Sequence, residues 1–230
     1  MQVSVDSLFA TDGESIRRYD RGTLALLAEN VDAHADEIVG AGGLLFGAGE
    51  KHLKAYDATT LEVRFAFGAG IFERNPFGLA VHGNELYACE MGKHRIQVFS
   101  LAGQHVRTIR GEFWAPWQLC FVTDRMYLLE EVEPSMYCHE HSTELPWPSI
   151  RYLLEAGWTS LEQTANCPAA AHAKLQRRLL VLTPEGDTLQ VYEGEPHEKI
   201  DGVTLFDGKL FLRAYDPTAC SGRLVALQGV

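Results

Sequence analysis

The sequence predicts an all-β protein, a β-propeller of about five four-stranded blades with a helical insertion in the fourth blade. The first observation is a unit of about 40 residues that recurs along the chain. The second is the alternation of apolar and polar residues inside each unit, between breaks at Gly or Asn. Such alternation is typical of strands, and one small meander cannot bury both of its faces. We therefore expect successive units to pack against each other around an axis.

The clearest unit covers residues 75–111. It contains two alternating patterns, GLAVHG and ELYACE, a turn at Met91, and then RIQVFS and HVRTIR, separated by a turn near Gly103. Period-two alternation with a turn signal at each break indicates a four-stranded antiparallel meander.

The same pattern recurs before and after this unit. The first apolar residue of the second strand is predicted at Leu8, Leu44, Leu86, Met126 and Leu210. The last interval is about twice the others, which indicates an insertion in the fourth unit. The predicted blades are 1–30, 34–70, 75–111, 115–194 and 198–230, all in one domain covering 1–230, and the insertion is 133–176. Helical spacing in PSIRYLLEAG and the Ala-rich NCPAAAHAK predict helices there.

Three stretches of the clearest unit, at 76–81, 86–88 and 93–99, resemble the NHL repeat. Glu90 stands where that family usually has Asp. The resemblance implies a propeller. It implies little about activity, because NHL repeats occur in ubiquitin ligases, RNA-binding regulators, peptidyl-amidating lyases and free-standing propellers.

An axial pocket is the first candidate site. Residues at the start of each innermost strand converge on the axis of a propeller, and here they include His34, Asp36, Gln118 and Asp201. Carboxylate and amide oxygens are ligands for Ca²⁺, and some propeller lactonases and lyases use such a metal. A metal-dependent hydrolase or lyase is therefore one hypothesis, and a solvated channel mouth without catalysis is the other. We expect no cofactor, with Ca²⁺ or Zn²⁺ as the alternative.

The predicted insertion contains a second candidate, a zinc site made of Cys138, His141, Cys167 and His172. Two Cys and two His are a common tetrahedral zinc set. The alternative is four unrelated residues in a polar segment.

Recurrent acids and a basic triplet are also present. Glu90 and Glu130 end the second strand of their units, where we expect them to accept backbone hydrogen bonds from the following turn. The triplet at 93–95, Lys-His-Arg, suggests either an RNA-binding stripe or a solvated turn. The net charge of −11 favours the turn, so no nucleic acid partner is expected.

Four tryptophans lie before and inside the insertion, at Trp114, Trp117, Trp147 and Trp158. Aromatic side chains are enriched at interaction hot spots, although they could equally cover the end of the propeller. We predict a non-enzymatic, soluble interaction scaffold that binds a protein through its loop face and the insertion.

The remaining features concern location. No apolar run approaches the roughly 20 residues of a membrane span. Five cysteines without regular spacing favour a cytoplasmic or other reducing intracellular compartment.

Overall fold

A computed structural model describes residues 2–3, 6–132, 176–193, 199–206, 209–216 and 221–226. Within these residues the chain forms nineteen strands, arranged in five separate antiparallel sheets. The helical element in this part of the chain is one short 3₁₀ turn at Met91–Lys93. The fold is thus nearly all-β, as the sequence predicts. The predicted helical insertion, 133–176, lies outside the described residues except for Gln176, which is the first residue of a strand.

Each sheet is a simple meander, in which neighbours in sequence are neighbours in space. The first sheet contains β1 (Gln2–Val3), β2 (Ser7–Thr11), β3 (Ile16–Asp20) and β4 (Leu26–Asn30). The second contains β5 (Glu37–Ala41), β6 (Leu44–Gly49), β7 (His52–Asp57) and β8 (Val63–Phe67). The third contains β9 (Phe77–His82), β10 (Glu85–Glu90), β11 (Arg95–Ser100) and β12 (His105–Ile109).

The last two sheets follow the same order. The fourth contains β13 (Pro116–Val122), β14 (Arg125–Val132), β15 (Gln176–Leu182) and β16 (Thr188–Glu193). The fifth contains three described strands, β17 (Lys199–Phe206), β18 (Lys209–Asp216) and β19 (Ser221–Ala226). Innermost strands of successive sheets lie against each other, β1 against β5, β5 against β9, β9 against β13 and β13 against β17.

Short turns set the register within each sheet. Gly42 and Gly43 connect β5 to β6, with φ of 58° and 78°. Two consecutive positive φ values are typical of the two-residue hairpin turn whose twist matches that of the strands. The flanking residues Ala41 and Leu44 are paired, so the turn fixes which residues of β5 and β6 face each other.

The core consists of apolar layers between successive sheets. We call the side of a sheet that faces the preceding sheet its incoming face, and the other side its outgoing face. Leu86 and Phe99, on the incoming face of the third sheet, pack with Phe46 of the second sheet. Tyr87, on the outgoing face, packs with Leu128 of the fourth sheet. Because side chains alternate along each strand, β10 supplies Leu86 to one layer and Tyr87 to the other.

The packing corrects one register assignment made from sequence. Leu45, not Leu44, is the equivalent of Leu86, because Leu45 pairs with Tyr56 as Leu86 pairs with Phe99. Leu45 is fully buried on the incoming face, whereas Leu44 is only half-buried. Since side chains alternate between faces, a shift of one residue moves every side chain of the strand to the other face.

Candidate functional site

The axial edge of the molecule is built by equivalent positions on the innermost strands. These positions are Glu37 on β5, Gly78 on β9, Gln118 on β13 and Gly202 on β17. Each comes directly before a buried apolar residue of the incoming face, namely Ile38, Leu79, Leu119 and Val203. Because Leu45 is the equivalent of Leu86, Glu37 occupies this position in the second sheet, where the sequence analysis placed Asp36.

Side chains at this edge connect neighbouring sheets. The Glu37 carboxylate accepts a hydrogen bond from the backbone N–H of Leu79, on the next innermost strand. The Gln118 amide oxygen accepts one from the backbone N–H of Val203 in the same way, at 3.2 Å. Both contacts satisfy a backbone donor at the edge of a sheet, so they stabilise the packing of sheets.

Gly78 makes the equivalent contact without a side chain. A Cβ atom at this position would lie 2.6 Å from the carbonyl oxygen of Trp117 and 2.8 Å from Cα of Gln118. The backbones of β9 and β13 therefore approach too closely for any other residue, which is the physical reason for a glycine here.

The Glu37 carboxyl has a pKa raised to about 7. Burial is the main cause, because surrounding protein atoms disfavour the charged form, and the hydrogen bond from Leu79 opposes it. Such a pKa would let Glu37 exchange a proton near neutral pH, and no local sequence pattern distinguishes this residue from other acids.

The four predicted axial residues occupy different environments. His34 and Asp36 are exposed, and their backbone N–H groups donate to the carbonyls of Glu14 and Ala48. Gln118 is half-buried and bonded to Val203, and Asp201 is described only through its backbone in β17. Over the described part of the chain, no three His, Cys, Asp or Glu side chains are close enough to hold a metal ion. The axial metal site therefore remains a prediction.

A second region is the face of the molecule where β10 and β14 end. Glu130, at the end of β14, is completely buried. Its carboxylate accepts a hydrogen bond from the backbone N–H of Trp114 at 2.6 Å, and another from Nε of Arg178 at 2.6 Å. Burial raises the pKa of Glu130, and these two partners act against that rise.

Glu90 is the equivalent residue of the third sheet and is also completely buried. It accepts backbone hydrogen bonds from Glu73 and Arg74 at 2.7 and 2.9 Å, and Nε of Arg95 lies 2.5 Å from its other oxygen. The structural role expected for Glu90 and Glu130 is thus correct. The donors, however, lie in the loop that precedes each sheet, not in the turn that follows the strand.

The basic triplet at 93–95 is only partly the solvated turn that was expected, because Arg95 is buried. Arg95 is buried against Glu90, and Lys93 pairs with Glu73 at 2.5 Å. His94 has a left-handed backbone with φ of 50°. Its Nδ1 accepts the backbone N–H of Ala115 at 2.9 Å, so the ring proton is on Nε2.

Trp114 packs edge to face on the His94 ring, with ring centroids 4.5 Å apart. Burial lowers the pKa of His94, because the charged imidazolium is disfavoured there. The loop from Trp114 to Ala115 is therefore held by the third sheet through His94 and by the fourth through Glu130. These contacts join residues far apart in sequence, so no local pattern signals them.

The remaining predicted contact residues divide into two groups. Trp117 is half-buried and packs against the apolar layer between the fourth and fifth sheets. The other predicted residues of the insertion lie outside the described residues, namely Trp147, Trp158, Cys138, His141, Cys167 and His172. Val132 and Gln176, which flank segment 133–175, pair with each other at the end of the β14–β15 ladder.

Solved structures show which class of fold this arrangement belongs to. The chain is similar to BamB from Moraxella catarrhalis, with a TM-score of 0.51 and 11% identity over 99% of this chain and 69% of that chain. It is similar to the WD40 β-propeller domain of Doa1, with a TM-score of 0.52 and 11% identity over 96% of this chain and 64% of that one. For the WD40 repeats of RRP9 the TM-score is 0.55 and the identity 12%, over 96% and 76%.

The fold is therefore that of a β-propeller. The chain spans only part of these three structures, between 64% and 76% of their length. No protein-family model and no curated protein matches the sequence. Within the described residues, no helix is long and apolar enough to cross a membrane.

Proposed function

We propose that this protein is a non-enzymatic interaction scaffold of the NHL-repeat type, which binds a protein partner through the face that carries Trp114 and segment 133–175. The observation that supports this most directly is the position of the segment. It leaves β14 and returns to β15 beside Glu130, whose carboxylate also holds the backbone of Trp114. The points at which the segment leaves and re-enters the sheet thus lie at the same end of the sheet as the aromatic loop.

The rigidity of this support favours binding over a purely structural role for the segment. The ladder between β14 and β15 is continuous from Met126 to Val132, and the Glu130–Arg178 ion pair closes it near the exit point. These contacts hold together the end of the sheet from which the segment leaves, which gives a partner-binding segment a firm base. The similarity to WD40 propellers supports an interaction scaffold as the general kind of fold.

A deletion tests the proposal. Residues 133–175 are replaced with a short Gly-Ser linker, which retains the pair Val132 and Gln176. We expect the variant to keep the far-UV circular dichroism and unfolding transition of a β protein, and to lose partners recovered from its own cells. A matched control lengthens the turn at Gly83 and Asn84, on the opposite end of the third sheet, by the same linker. Partners retained by the deletion variant and lost by the control would contradict the proposal.

A further inference from the structure

We propose that a cavity between the first and second sheets binds a small aromatic carboxylate, with its carboxylate group on Arg18 and its ring over Phe9. The cavity lies beside the β5–β6 turn, whereas the proposed partner-binding face lies where β10 and β14 end. Support comes from the equivalent interface between the third and fourth sheets, where side chains of the protein supply both of these groups.

The cavity has a volume of about 360 Å³. Ser7, Phe9 and Arg18 line it from the outgoing face of the first sheet, and Gly40 and Leu45 line it from the second sheet. Binding sites for small molecules typically have volumes of about 300–1,000 Å³. The cavity is therefore large enough for one substituted ring.

Gly40 leaves the second sheet without a side chain at this place. It pairs with Leu45 on the neighbouring strand, as Phe121 of the fourth sheet pairs with Met126. Leu45 and Met126 occupy equivalent positions, so Gly40 and Phe121 are equivalent as well. In the fourth sheet, the Phe121 ring packs against the apolar layer shared with the third sheet.

The aromatic residue below this position is present in both interfaces. Phe9 pairs with the third strand of its sheet as Tyr87 does, and both are buried on an outgoing face. The Phe121 ring covers Tyr87, with ring centroids 4.7 Å apart. Gly40 supplies no such ring over Phe9, so an aromatic ligand would occupy the equivalent place.

An arginine lies beside the aromatic residue in each interface, but its partner differs. The guanidinium of Arg107 lies 5.6 Å from the ring centroid of Tyr87 and donates to the Glu85 carboxylate at 2.6 Å. In the first sheet, Ser7 stands two residues before the aromatic residue, where the third sheet has Glu85. Nε of Arg18 donates to the Ser7 hydroxyl at 2.9 Å, which leaves the charge of Arg18 without the carboxylate that Arg107 has.

Arg18 is held in place but retains donors for a ligand. Its Nη1 donates to the carbonyl of Thr59 at 3.1 Å, so the guanidinium is fixed from both sheets. Among the described residues, Arg18 forms no ion pair, and Asp6, which also lines the cavity, is exposed. The remaining N–H groups on Nη1 and Nη2 suit a carboxylate, which accepts two parallel hydrogen bonds from a guanidinium.

An aromatic carboxylate combines the two groups that the first interface lacks. Its ring takes the place of the Phe121 ring, and its charged group takes the place of the Glu85 carboxylate. Benzoate is the smallest ligand with both groups. Since Ser7 and Thr59 already hold the guanidinium, little conformational freedom of Arg18 is lost on binding.

Isothermal titration calorimetry of the purified full chain tests the proposal with benzoate as the probe. We expect a dissociation constant below about 1 mM. Benzamide has the ring without the charge, and inorganic phosphate has charge without a ring, so each should bind at least about tenfold more weakly. Absence of benzoate binding, or equal affinity for either of the other two compounds, would overturn the proposal.

Two substitutions test the place of binding. Arg18→Gln removes the charge, and Gly40→Val fills the cavity with the residue that the third sheet has at this position, Val81, while it keeps Arg18. Each should weaken benzoate binding at least about tenfold. Arg17→Gln is the matched control, because Arg17 lies on the other face of β3 and already pairs with acids. Unchanged affinity in Gly40→Val, or an equal loss in the control, would contradict the assignment.

A measurement on the unsubstituted protein locates the ligand without any effect on folding. We expect intermolecular nuclear Overhauser effects between the ring protons of benzoate and those of Phe9. Effects to other parts of the protein alone would overturn the proposal.

Discussion

Arg178 binds the Glu130 carboxylate through both Nε and Nη2, so one ion pair joins the ends of β14 and β15 where segment 133–175 leaves the sheet. In the third sheet Arg95 binds Glu90 in the equivalent position. The carboxylate also binds the preceding loop in both sheets, through Trp114 in one and Arg74 in the other. This repeated unit stabilises the face on which the proposed function depends.

Removing the charge of Glu130 should destabilise the fold. Glu130→Gln keeps an acceptor for the Trp114 N–H but withdraws the carboxylate from Arg178. Loss of one partner of a buried pair costs about 3–5 kcal/mol, and the partial exposure of Arg178 reduces the expected loss to about 2 kcal/mol. Urea unfolding measures the difference in free energy.

The control for Glu130 is Glu29→Gln, which removes an ion pair with Arg17 on the surface. Exposed pairs contribute little to stability, so we expect the unfolding midpoint to stay close to that of the unsubstituted protein. Equal effects of the two substitutions would show that burial of Glu130 does not determine its contribution.

Gly78→Ala should be strongly destabilising, because its Cβ would meet backbone atoms of Trp117 and Gln118 that have no room to move. Overpacking of this kind costs roughly 1–3 kcal/mol or more. Gly22→Ala is the matched control. A Cβ added at Gly22 would lie 3.5 Å from its nearest neighbour, a side-chain oxygen of Asp20, which is an ordinary contact distance. Thermal unfolding of both alanine variants is the measurement, and a Gly78→Ala transition as high as that of Gly22→Ala would refute the close approach.

Stability should depend on pH through Glu37. Its folded-state pKa of about 7 lies above the ordinary value of 4.5, so the folded state binds the proton more tightly than the unfolded state. This contribution is complete below about pH 4.5 and is lost as pH rises to about 7. Glu37→Gln keeps an acceptor for Leu79 and removes the titration. In the unsubstituted protein, Glu37 should make the free energy of unfolding roughly 2 kcal/mol higher at pH 5 than at pH 8. In the variant this contribution to the difference between the two pH values should disappear. Parallel pH profiles would contradict the raised pKa.

His94 should titrate below the ordinary histidine pKa of 6.5 and carry its proton on Nε2 at neutral pH. A two-dimensional ¹H–¹⁵N NMR titration reports both properties. Trp114→Ala should raise the measured pKa towards 6.5, because it opens one side of the ring to water. An imidazole that titrates at or above 6.5 in the unsubstituted protein would show that the ring is not buried by this loop.

The sequence predicted the repeat well because its turns are short and regular. The predicted equivalence of Leu86 and Met126 is correct, because both lie on an incoming face. In the second sheet two adjacent leucines follow the turn, and choosing Leu44 over Leu45 placed Asp36 at the axis instead of Glu37. Alternation alone cannot decide between adjacent apolar residues.

The candidate site was less predictable. The residue type of Trp114 makes it a candidate contact residue, but its contacts with His94 and Glu130 depend on how a loop crosses two sheets. The recurrence of Glu90 and Glu130 was visible, whereas their donors in the preceding loop were not. Contacts between distant loops carry no periodic signal from which they could be inferred.

Site-specific photo-cross-linking in cells tests the proposed binding face most directly. A photoreactive residue is placed at position 114, or as a control at the exposed Asn84 on the opposite end of the third sheet. We predict discrete protein adducts from position 114 that disappear when 133–175 is replaced by the linker, and none from position 84. Adducts at position 84 alone, or adducts at position 114 that persist without the segment, would contradict the proposed function.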